Sequence, residues 1–294
     1  MALQEQIERL RKYFADLKLD ELGAVFARHA RALTERTLTA LHELELGALV
    51  EDLAVAIAFY TRLPLRRTTP VDGAAIARAA WCAPLIGALV GVVAGLAYWA
   101  AYRLNLPQFV CATLAIAAAL ALTGCLHEDG LADTADGFGG ATREESLAIM
   151  RDGRIGVFGA CALIVALTLR VGALADLPNP ALAAWALIAT HAAARASLPP
   201  FMRLVAPARP DGLSAAAGAP ALEQAWTSAL IGLAILWIAL GTKNMLIALL
   251  LLVVGGAVVA WLANRKLGGQ TGDVLGALEQ VGECLVLLVA AARF

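Results

Sequence analysis

The sequence predicts an all-α, polytopic membrane protein: a bundle of about seven transmembrane helices preceded by an amphipathic helical segment. Of the 294 residues, 60% are hydrophobic and only 16% are charged, whereas a soluble domain carries roughly 25% charged residues. Long apolar runs dominate from about Trp81 onward, and the remaining charges cluster between these runs. The net charge of −1 lacks the basic footprint of a nucleic-acid-binding protein.

Residues 1–46 are polar by comparison and are predicted to form a separate amphipathic helical segment. Apolar residues recur there at helical spacing, in one stripe from Leu3 to Leu17 and in a second from Leu22 to Leu44. We expect this segment to pack on the membrane domain or on itself. A coiled coil that joins copies of the chain into a homo-oligomer and a membrane-surface helix are the alternatives.

The membrane-embedded domain is predicted to comprise residues 47–294. Its first apolar segment, 47–65, is short and could lie in the interface or re-enter the bilayer. The later segments are each close to the roughly 20 residues that a helix needs to cross a bilayer. The predicted spans are 81–103, 108–126, 155–175, 181–200, 225–241, 245–263 and 274–292.

Arginine and lysine residues predict the orientation of these spans. If the residues before Trp81 are cytoplasmic, twelve basic residues fall on the cytoplasmic side and four on the other side, in agreement with the positive-inside rule. The connections 127–154, 195–224 and 264–273 then lie together at the cytoplasmic face. Every unusual polar motif lies in or beside one of these connections.

An acidic motif, 124-GCLHEDGLADTADGFGG-140, directly follows an apolar span. On a helix, Asp129, Asp133 and Asp136 would share one face and repel one another. A divalent cation would relieve this repulsion, and oxygen ligands suit Mg²⁺, Mn²⁺ or Ca²⁺. We therefore predict Glu128 and these three aspartates as metal ligands, with Asp133 and Asp136 also catalytic. A solvated acidic loop is the alternative.

Three arginines are candidates for binding phosphate. Arg151 and Arg154 lie in 150-MRDGRIGVFG-159, and a guanidinium binds phosphate oxygens in a bidentate manner. Arg195 lies near a span end, where an ionisable residue indicates function. The alternative for the first two is anchoring of the following span, and for Arg195 it is a side chain that reaches the interface.

A glycine-rich turn, 264-NRKLGGQTGD-273, precedes the last span. Such a turn at a helix N-terminus is a good anion site, so Gly269 and Thr271 are predicted to bind substrate. Asp273 is a further candidate metal ligand. The turn lacks the P-loop pattern. Glu279 and Glu283 lie inside the span, where they are costly unless they are paired or face a cavity.

Together these motifs indicate metal-assisted phosphoryl transfer. Mg²⁺ held by carboxylates would neutralise a pyrophosphate, and arginines would hold its oxygens. A hydroxyl would then attack in line while a nucleoside monophosphate leaves. His127 or one of the aspartates could take the hydroxyl proton, although His127 does not share the aspartate face of a regular helix.

Several motifs resemble those of the adenosylcobinamide-GDP ribazoletransferase, or cobalamin synthase, family. LHEDGLADTADG, MRDGRIGVFG, LGGQTGDVLGA and AFYTRLP (58–64) occur in that family's order, over about residues 48–290. The resemblance implies a Mg²⁺-dependent enzyme of the bacterial inner membrane that acts in the last steps of cobalamin biosynthesis. It would transfer the adenosylcobinamide-phosphate moiety to the ribose 3′-hydroxyl of α-ribazole or its 5′-phosphate and release GMP. Residues 1–45 exceed the lead-in expected for this family.

Three other functions are alternatives. A transporter could use Arg195, Glu279 and Glu283, but the motifs gather at one face, whereas transporter sites usually lie near the midplane. A CDP-alcohol phosphotransferase would share the chemistry, but the D-G-x-x-A-R type of motif differs from the run at 129–133. A non-catalytic assembly protein would depend on residues 1–45.

Overall fold

A computed structural model describes residue 8 and residues 46–64 and 71–292 of the chain. The amphipathic stripes predicted for residues 1–45, and an oligomer formed through them, lie outside the described residues apart from Glu8. The chain divides into two compact units, Met1–Val50 and Glu51–Phe294. The second unit contains the membrane helices.

The described residues form an all-α fold that contains one isolated β-bridge. A short 3₁₀ turn, Ala79–Cys82, joins the second helix to the third. In chain order the helices are α1 (Leu46–Tyr60), α2 (Gly73–Arg78), α3 (Ala83–Arg103), α4 (Gln108–Thr123), α5 (Leu126–Gly137), α6 (Arg143–Ile149), α7 (Val157–Ala175), α8 (Pro180–Ala196), α9 (Leu198–Leu204), α10 (Leu213–Ala217), α11 (Leu222–Leu267) and α12 (Gly272–Ala291).

The long helices make the chain a multi-pass membrane protein. By length and composition, five helical runs among the described residues can cross a membrane, and a sixth crossing arises if the bent pair α4–α5 is one span. α11 is counted once, although a helix of 46 residues would extend over roughly 69 Å, about twice the thickness of the hydrocarbon core. It breaks at Gly241, where φ is 73° and ψ is 171°. Its halves correspond to the predicted spans 225–241 and 245–263, and counting both gives about seven.

Large apolar side chains cover the outer surface of these helices. Many of them are more than half exposed on α3, α7 and α11. Soluble monomers seldom expose large apolar patches, so this surface fits contact with lipid. Examples are Leu96, Trp99, Ile164, Val165, Leu230, Trp237, Leu250 and Val253.

Glycines allow α3 and α8 to pack with their backbones in close contact. Gly87, Gly91 and Gly95 recur every four residues on α3, a spacing of small residues that lets membrane helices approach closely. A Cβ atom added at Gly91 would stand 2.5 Å from Cα of Ile188. One added at Gly95 would stand 3.2 Å from Cα of Ala184. The interface therefore has no room for larger side chains on this face of α3.

The chain bends by 90° between α4 and α5. Gly124, with φ of 65°, ends α4 in the left-handed region that glycine adopts readily. Cys125 follows with φ of 57°, which is costly for a residue with a side chain. The amide of Arg62 donates to the carbonyl oxygen of Leu122 at 2.7 Å and so joins the chain after α1 to this bend. The predicted span 108–126 therefore ends before Gly124, and the acidic motif forms a helix of its own.

We expect Gly91→Ala to lower the thermal stability of the purified protein in detergent. The added methyl group collides with the backbone of α8, and overpacking of this kind costs about 1–3 kcal/mol. Gly172→Ala is the matched control, because a Cβ atom there meets nothing within 4 Å. Equal melting temperatures for the two variants would contradict the close packing of α3 on α8.

Candidate active site

α5 and α12 cross at two glycines, and this crossing brings the acidic motif against the last helix. A Cβ atom at Gly130 would stand 2.7 Å from the carbonyl oxygen of Asp273. A Cβ atom at Gly276 would stand 3.1 Å from Cα of Gly130. The two helix backbones thus meet directly, and Asp129 and Asp273 line the same cavity.

This cavity, the central cavity, has a volume of about 180 Å³ and is lined by residues of α1, α5, α9, α10 and α12, among others. His127 lines it together with Asp129 and Asp273, although it was expected to lie off the aspartate face. Asp133 is close enough to both aspartates for the charges to interact. Tyr60 also borders the cavity, and burial raises the pKa of its phenol, so the hydroxyl stays protonated and able to donate a hydrogen bond.

Asp136 has its carboxylate at the start of α7. Its oxygens accept hydrogen bonds from the amides of Gly156 at 2.7 Å and Gly159 at 2.9 Å. A Cβ atom at either glycine would collide with this carboxylate. A carboxylate at a helix N-terminus satisfies free N–H groups and interacts favourably with the helix dipole. The glycines of the arginine motif therefore make room for Asp136, which does not line the central cavity.

Glu128 is directed into the bundle and is 7% exposed. One of its oxygens, Oε1, accepts hydrogen bonds from Nη1 of Arg170 and Nε2 of Gln280, both at 3.0 Å. Two of the predicted metal ligands in the acidic motif, Glu128 and Asp136, thus have hydrogen-bond donors within the protein. Their roles as ligands stay predictions.

The three predicted phosphate-binding arginines do not converge on one point. Arg154 is on the surface, where its hydrogen bonds lower the pKa of the Asp152 carboxyl. Arg151 forms an ion pair of 2.7 Å with Asp211. Arg195 is 1% exposed and lies inside the bundle.

The predicted anion-binding turn forms the start of α12. Gly269 has φ of 153°, and a Cβ atom there would stand 2.9 Å from the carbonyl carbon of Pro207. The hydroxyl of Thr271 accepts from the amide of Val274 at 3.3 Å and donates to Asp273 at 3.2 Å. Gly269 thus permits close backbone approach and Thr271 caps the helix, while their contacts with substrate stay predictions.

Backbone and arginine hydrogen bonds hold this turn against the connection after α9. The amide of Gln270 donates to the carbonyl oxygen of Ala206 at 2.8 Å. The amide of Ala208 donates to the carbonyl oxygen of Gln270 at 2.7 Å. Arg143 donates to the carbonyl oxygens of Leu267 at 2.6 Å and Ala208 at 2.5 Å. Segments distant in sequence are therefore joined at the end of the bundle that carries Asp273.

A set of ionisable and polar side chains from four helices is buried in the bundle and forms what we call the ion network. Arg170 of α7 pairs with Glu283 at 2.8 Å, and Arg195 of α8 contacts Glu279 at 2.5 Å. Glu279 and Glu283 are therefore paired, which offsets the cost of burying them within a span. The members of the network are His127, Glu128, Arg170, His191, Arg195, Glu279, Gln280 and Glu283.

His127 joins the ion network to the central cavity. Nη2 of Arg195 lies 3.3 Å from Nδ1 of His127. The nearest oxygen of Glu279 lies 3.6 Å from the same Nδ1. Arginine can only donate, so Nδ1 accepts this hydrogen bond. A neutral His127 then carries its proton on Nε2.

The residues Arg170, Gln280 and Tyr60 were not identified as site residues from the sequence. Arg170 is one of the four basic residues that were counted on the non-cytoplasmic side, and that count was wrong because the side chain is 1% exposed within α7. An arginine inside the apolar run 155–175 was the signal that could have revealed it. Arg195 was also wrongly counted in a connection, because it is 1% exposed within α8. The two errors remove one charge from each side, so the predicted orientation keeps its basis.

One group in the described part of the chain has three potential ligand atoms within 4.8 Å of one another, and it comprises His191, Glu279 and Glu283. The guanidinium groups of Arg170 and Arg195 contact these carboxylates. Protein cations therefore already balance the negative charge of this group. Asp129, Asp133 and Asp273 have a wider spacing and form no ion pair among the described residues.

The fold and the site define a multi-pass helical membrane protein with an acidic cavity where two of its helices cross. The family model described as "Cobalamin-5-phosphate synthase" matches residues 52–291. The chain belongs to this family, which confirms the resemblance in the motifs.

Curated relatives agree with the family match over nearly their whole lengths. A protein of Bradyrhizobium diazoefficiens named adenosylcobinamide-GDP ribazoletransferase is 52% identical over 244 residues, covering 83% of this chain and 94% of the relative. Proteins with the same name from Mesorhizobium japonicum and Azorhizobium caulinodans are 47% and 44% identical. They cover 83% and 82% of this chain and 93% and 95% of their own lengths. No solved structure shows significant similarity to the chain.

We expect Arg170→Met to destabilise the protein severely, because it leaves Glu128 and Glu283 without their shared cation. Breaking a buried ion pair by removing one partner costs about 3–5 kcal/mol. Arg103→Met is the matched control, since Arg103 is exposed and stacks on Trp99 at 5.7 Å. Thermal unfolding in detergent checks the comparison, and similar losses in both variants would contradict the structural role of the ion network.

Proposed function

We propose that the chain is an adenosylcobinamide-GDP ribazoletransferase of the final stage of cobalamin biosynthesis. The 3′-hydroxyl of α-ribazole, or of its 5′-phosphate, attacks the phosphorus attached to cobinamide. A new oxygen–phosphorus bond forms, the bond to the guanylate oxygen breaks, and GMP leaves. Relatives that carry this name align with more than four-fifths of the chain. The observation that carries the proposal is the presence of His127, Asp129 and Asp273 on one cavity.

Asp129 and Asp273 are the proposed ligands of Mg²⁺. Their hard carboxylate oxygens suit this ion, which commonly bridges protein carboxylates and substrate phosphates. Neither aspartate forms an ion pair within the described residues, so neither is committed to a protein cation. Mg²⁺, when bound, would neutralise negative charge on the diphosphate. Glu128 and Asp136 are left out of this set because protein donors bind both oxygens of Asp136 and Oε1 of Glu128.

Asp133 is the proposed acceptor of the hydroxyl proton. It lies near Asp129 and Asp273, and among the described residues no hydrogen bond engages its carboxylate. His127 is the proposed hydrogen-bond donor to a substrate oxygen, because the contact with Arg195 leaves its proton on Nε2. Both residues therefore act on substrate, one by removing a proton and the other by holding an oxygen.

The proposed location is the bacterial inner membrane, with the central cavity at the cytoplasmic face. The support is the positive-inside rule together with the position of the arginines. Arg143 and Arg151 contact the segments next to the start of α12, which carries Asp273. The basic connections and the proposed site thus lie at the same end of the bundle.

A transporter and a CDP-alcohol phosphotransferase are less well supported. The glutamates that favoured a transporter are paired with Arg170 and Arg195. The family match favours a corrinoid substrate over a lipid alcohol. A CDP-alcohol and a lipid acceptor should therefore give no turnover.

We expect the wild-type protein in liposomes to convert adenosylcobinamide-GDP and α-ribazole 5′-phosphate into a corrinoid product and GMP. Asp133→Asn should lower kcat by about 100-fold or more at saturating Mg²⁺, a loss typical of removing a general base. Glu144→Gln is the control, an exposed acid outside the cavity. Chromatography of both products checks the result. Wild-type kcat in Asp133→Asn would refute the role of this residue, and an inactive, folded wild type would refute the proposed function.

We expect turnover to stop in EDTA and to return when Mg²⁺ is added. Asp129→Asn and Asp273→Asn should raise the Mg²⁺ concentration needed for half-maximal rate, because each removes an anionic ligand. Asp133→Asn should leave that concentration nearly unchanged while lowering the maximal rate. A Mg²⁺ titration of each variant distinguishes these effects. A rate that is insensitive to EDTA would contradict a metal at this site.

A further inference from the structure

A second cavity, the lateral cavity, adjoins the central cavity and has a volume of about 160 Å³. Both cavities include Ser214 and Asp273 in their walls. Ser214, Arg209 and Gln270 were not identified as site residues from the sequence. The polar residues that line the lateral cavity are Arg209, Asp211, Ser214, Gln270, Thr271 and Asp273.

Two hydrogen-bond donors of the lateral cavity are buried and have no acceptor among the described residues. Gln270 is 1% exposed, and its Nε2 is without a partner. Its Oε1 accepts from the hydroxyl of Ser214 at 2.6 Å, which fixes the orientation of the amide. Nη1 of Arg209 is likewise buried and without a partner. A buried donor left without an acceptor costs about 1–3 kcal/mol, so an acceptor supplied by a ligand would be favourable here.

The N-terminus of α12 adds further donors to this wall. Thr271 and Gly272 line the lateral cavity. The hydroxyl of Thr271 accepts the amide of Val274, which leaves the amides of Gly272 and Asp273 without a helical acceptor. The positive end of the helix dipole lies at the same place. The residues that carry these side-chain and backbone donors thus all line one small cavity.

Two carboxylates border the lateral cavity, and both have other partners. Asp211 is an exposed side chain that pairs with Arg151 at 2.7 Å. Asp273 accepts from Thr271 and also lines the central cavity, where it is the proposed Mg²⁺ ligand. Magnesium sites in enzymes commonly join carboxylates to substrate phosphates. An anion in the lateral cavity is therefore compatible with Asp273 in its wall.

We propose that the lateral cavity binds the oxygens of a substrate phosphate group, with Gln270, Arg209 and the α12 N-terminus as donors. The inference rests on the proposed function, and it identifies residues that recognise one of the substrates. Two sources offer this chemistry: the guanylate half of adenosylcobinamide-GDP and the 5′-phosphate of the ribazole acceptor. The side chain of Gln270 takes no part in the backbone pairing with Ala206 and Ala208, so it can be replaced without removing that pairing.

The test compares Gln270→Glu and Arg209→Gln with the wild type. Gln270→Glu keeps the size of the side chain but places an acceptor and a negative charge in the cavity. Arg209 is partly exposed, so Arg209→Gln keeps the test informative if Gln270→Glu fails to fold. Gln108→Glu makes the same chemical change at an exposed position far from the cavity, and it serves as the control. Binding of GMP and of α-ribazole 5′-phosphate is measured by calorimetry, and KM is measured for adenosylcobinamide-GDP, α-ribazole and α-ribazole 5′-phosphate.

A loss of about tenfold or more in phosphate affinity is expected for both variants, with a smaller effect on kcat. The loss of one hydrogen bond to a charged group lowers affinity by about this factor. If KM rises for α-ribazole 5′-phosphate but not for α-ribazole, the acceptor's phosphate occupies the cavity. If KM for adenosylcobinamide-GDP and Kd for GMP rise instead, the guanylate phosphate occupies the cavity. Unchanged Kd and KM values in the folded variants would overturn the proposal. Because the calorimetry needs no turnover, it tests the cavity even if the proposed reaction fails.

Discussion

The pairing of buried charges in the ion network is the constraint on which the rest of the structure depends. Three glutamates and two arginines are buried inside a bundle of membrane-spanning helices, where an unpaired charge is costly. These five residues come from four helices: α5 supplies Glu128, α7 supplies Arg170, α8 supplies Arg195, and α12 supplies Glu279 and Glu283. Since a displacement of any one helix would leave a charge unpaired, the network specifies how these helices and α12 must lie.

The acidic helix α5 is organised by this constraint, because its carboxylates have three different environments. Glu128 belongs to the ion network. Asp136 accepts the first amides of α7. Asp129 lies on the central cavity, and the close crossing at Gly130 brings it to the helix that carries Asp273. The carboxylates at the two ends of the motif thus hold the helix in position, and this leaves those between them available for chemistry.

The sequence was sufficient to predict the helical membrane fold, most span boundaries and the motifs that meet at one end. Those features depend on local composition and periodicity, which a single sequence displays directly. The roles of individual charges could not be read in the same way. The Gln280–Glu128 hydrogen bond joins residues 152 positions apart, and nothing local to Glu128 distinguishes it from Asp129. The spacing of the aspartates on α5 predicted a shared helical face, but it could not show that Asp136 meets two amides of the next helix.

The position of Arg195 links the buried network to the chemistry in the cavity. A guanidinium has no acceptor atom, so its contact with Nδ1 fixes the tautomer of His127. Glu279 contacts Nη1 of the same guanidinium at 2.5 Å and so holds Arg195 in place. A histidine that must donate from Nε2 is poorly suited to remove a proton from a hydroxyl, while it can hold a substrate oxygen. In the proposed mechanism the acid–base work therefore falls to a carboxylate of α5, and the histidine in the motif acts with the network rather than with the aspartates beside it in the sequence.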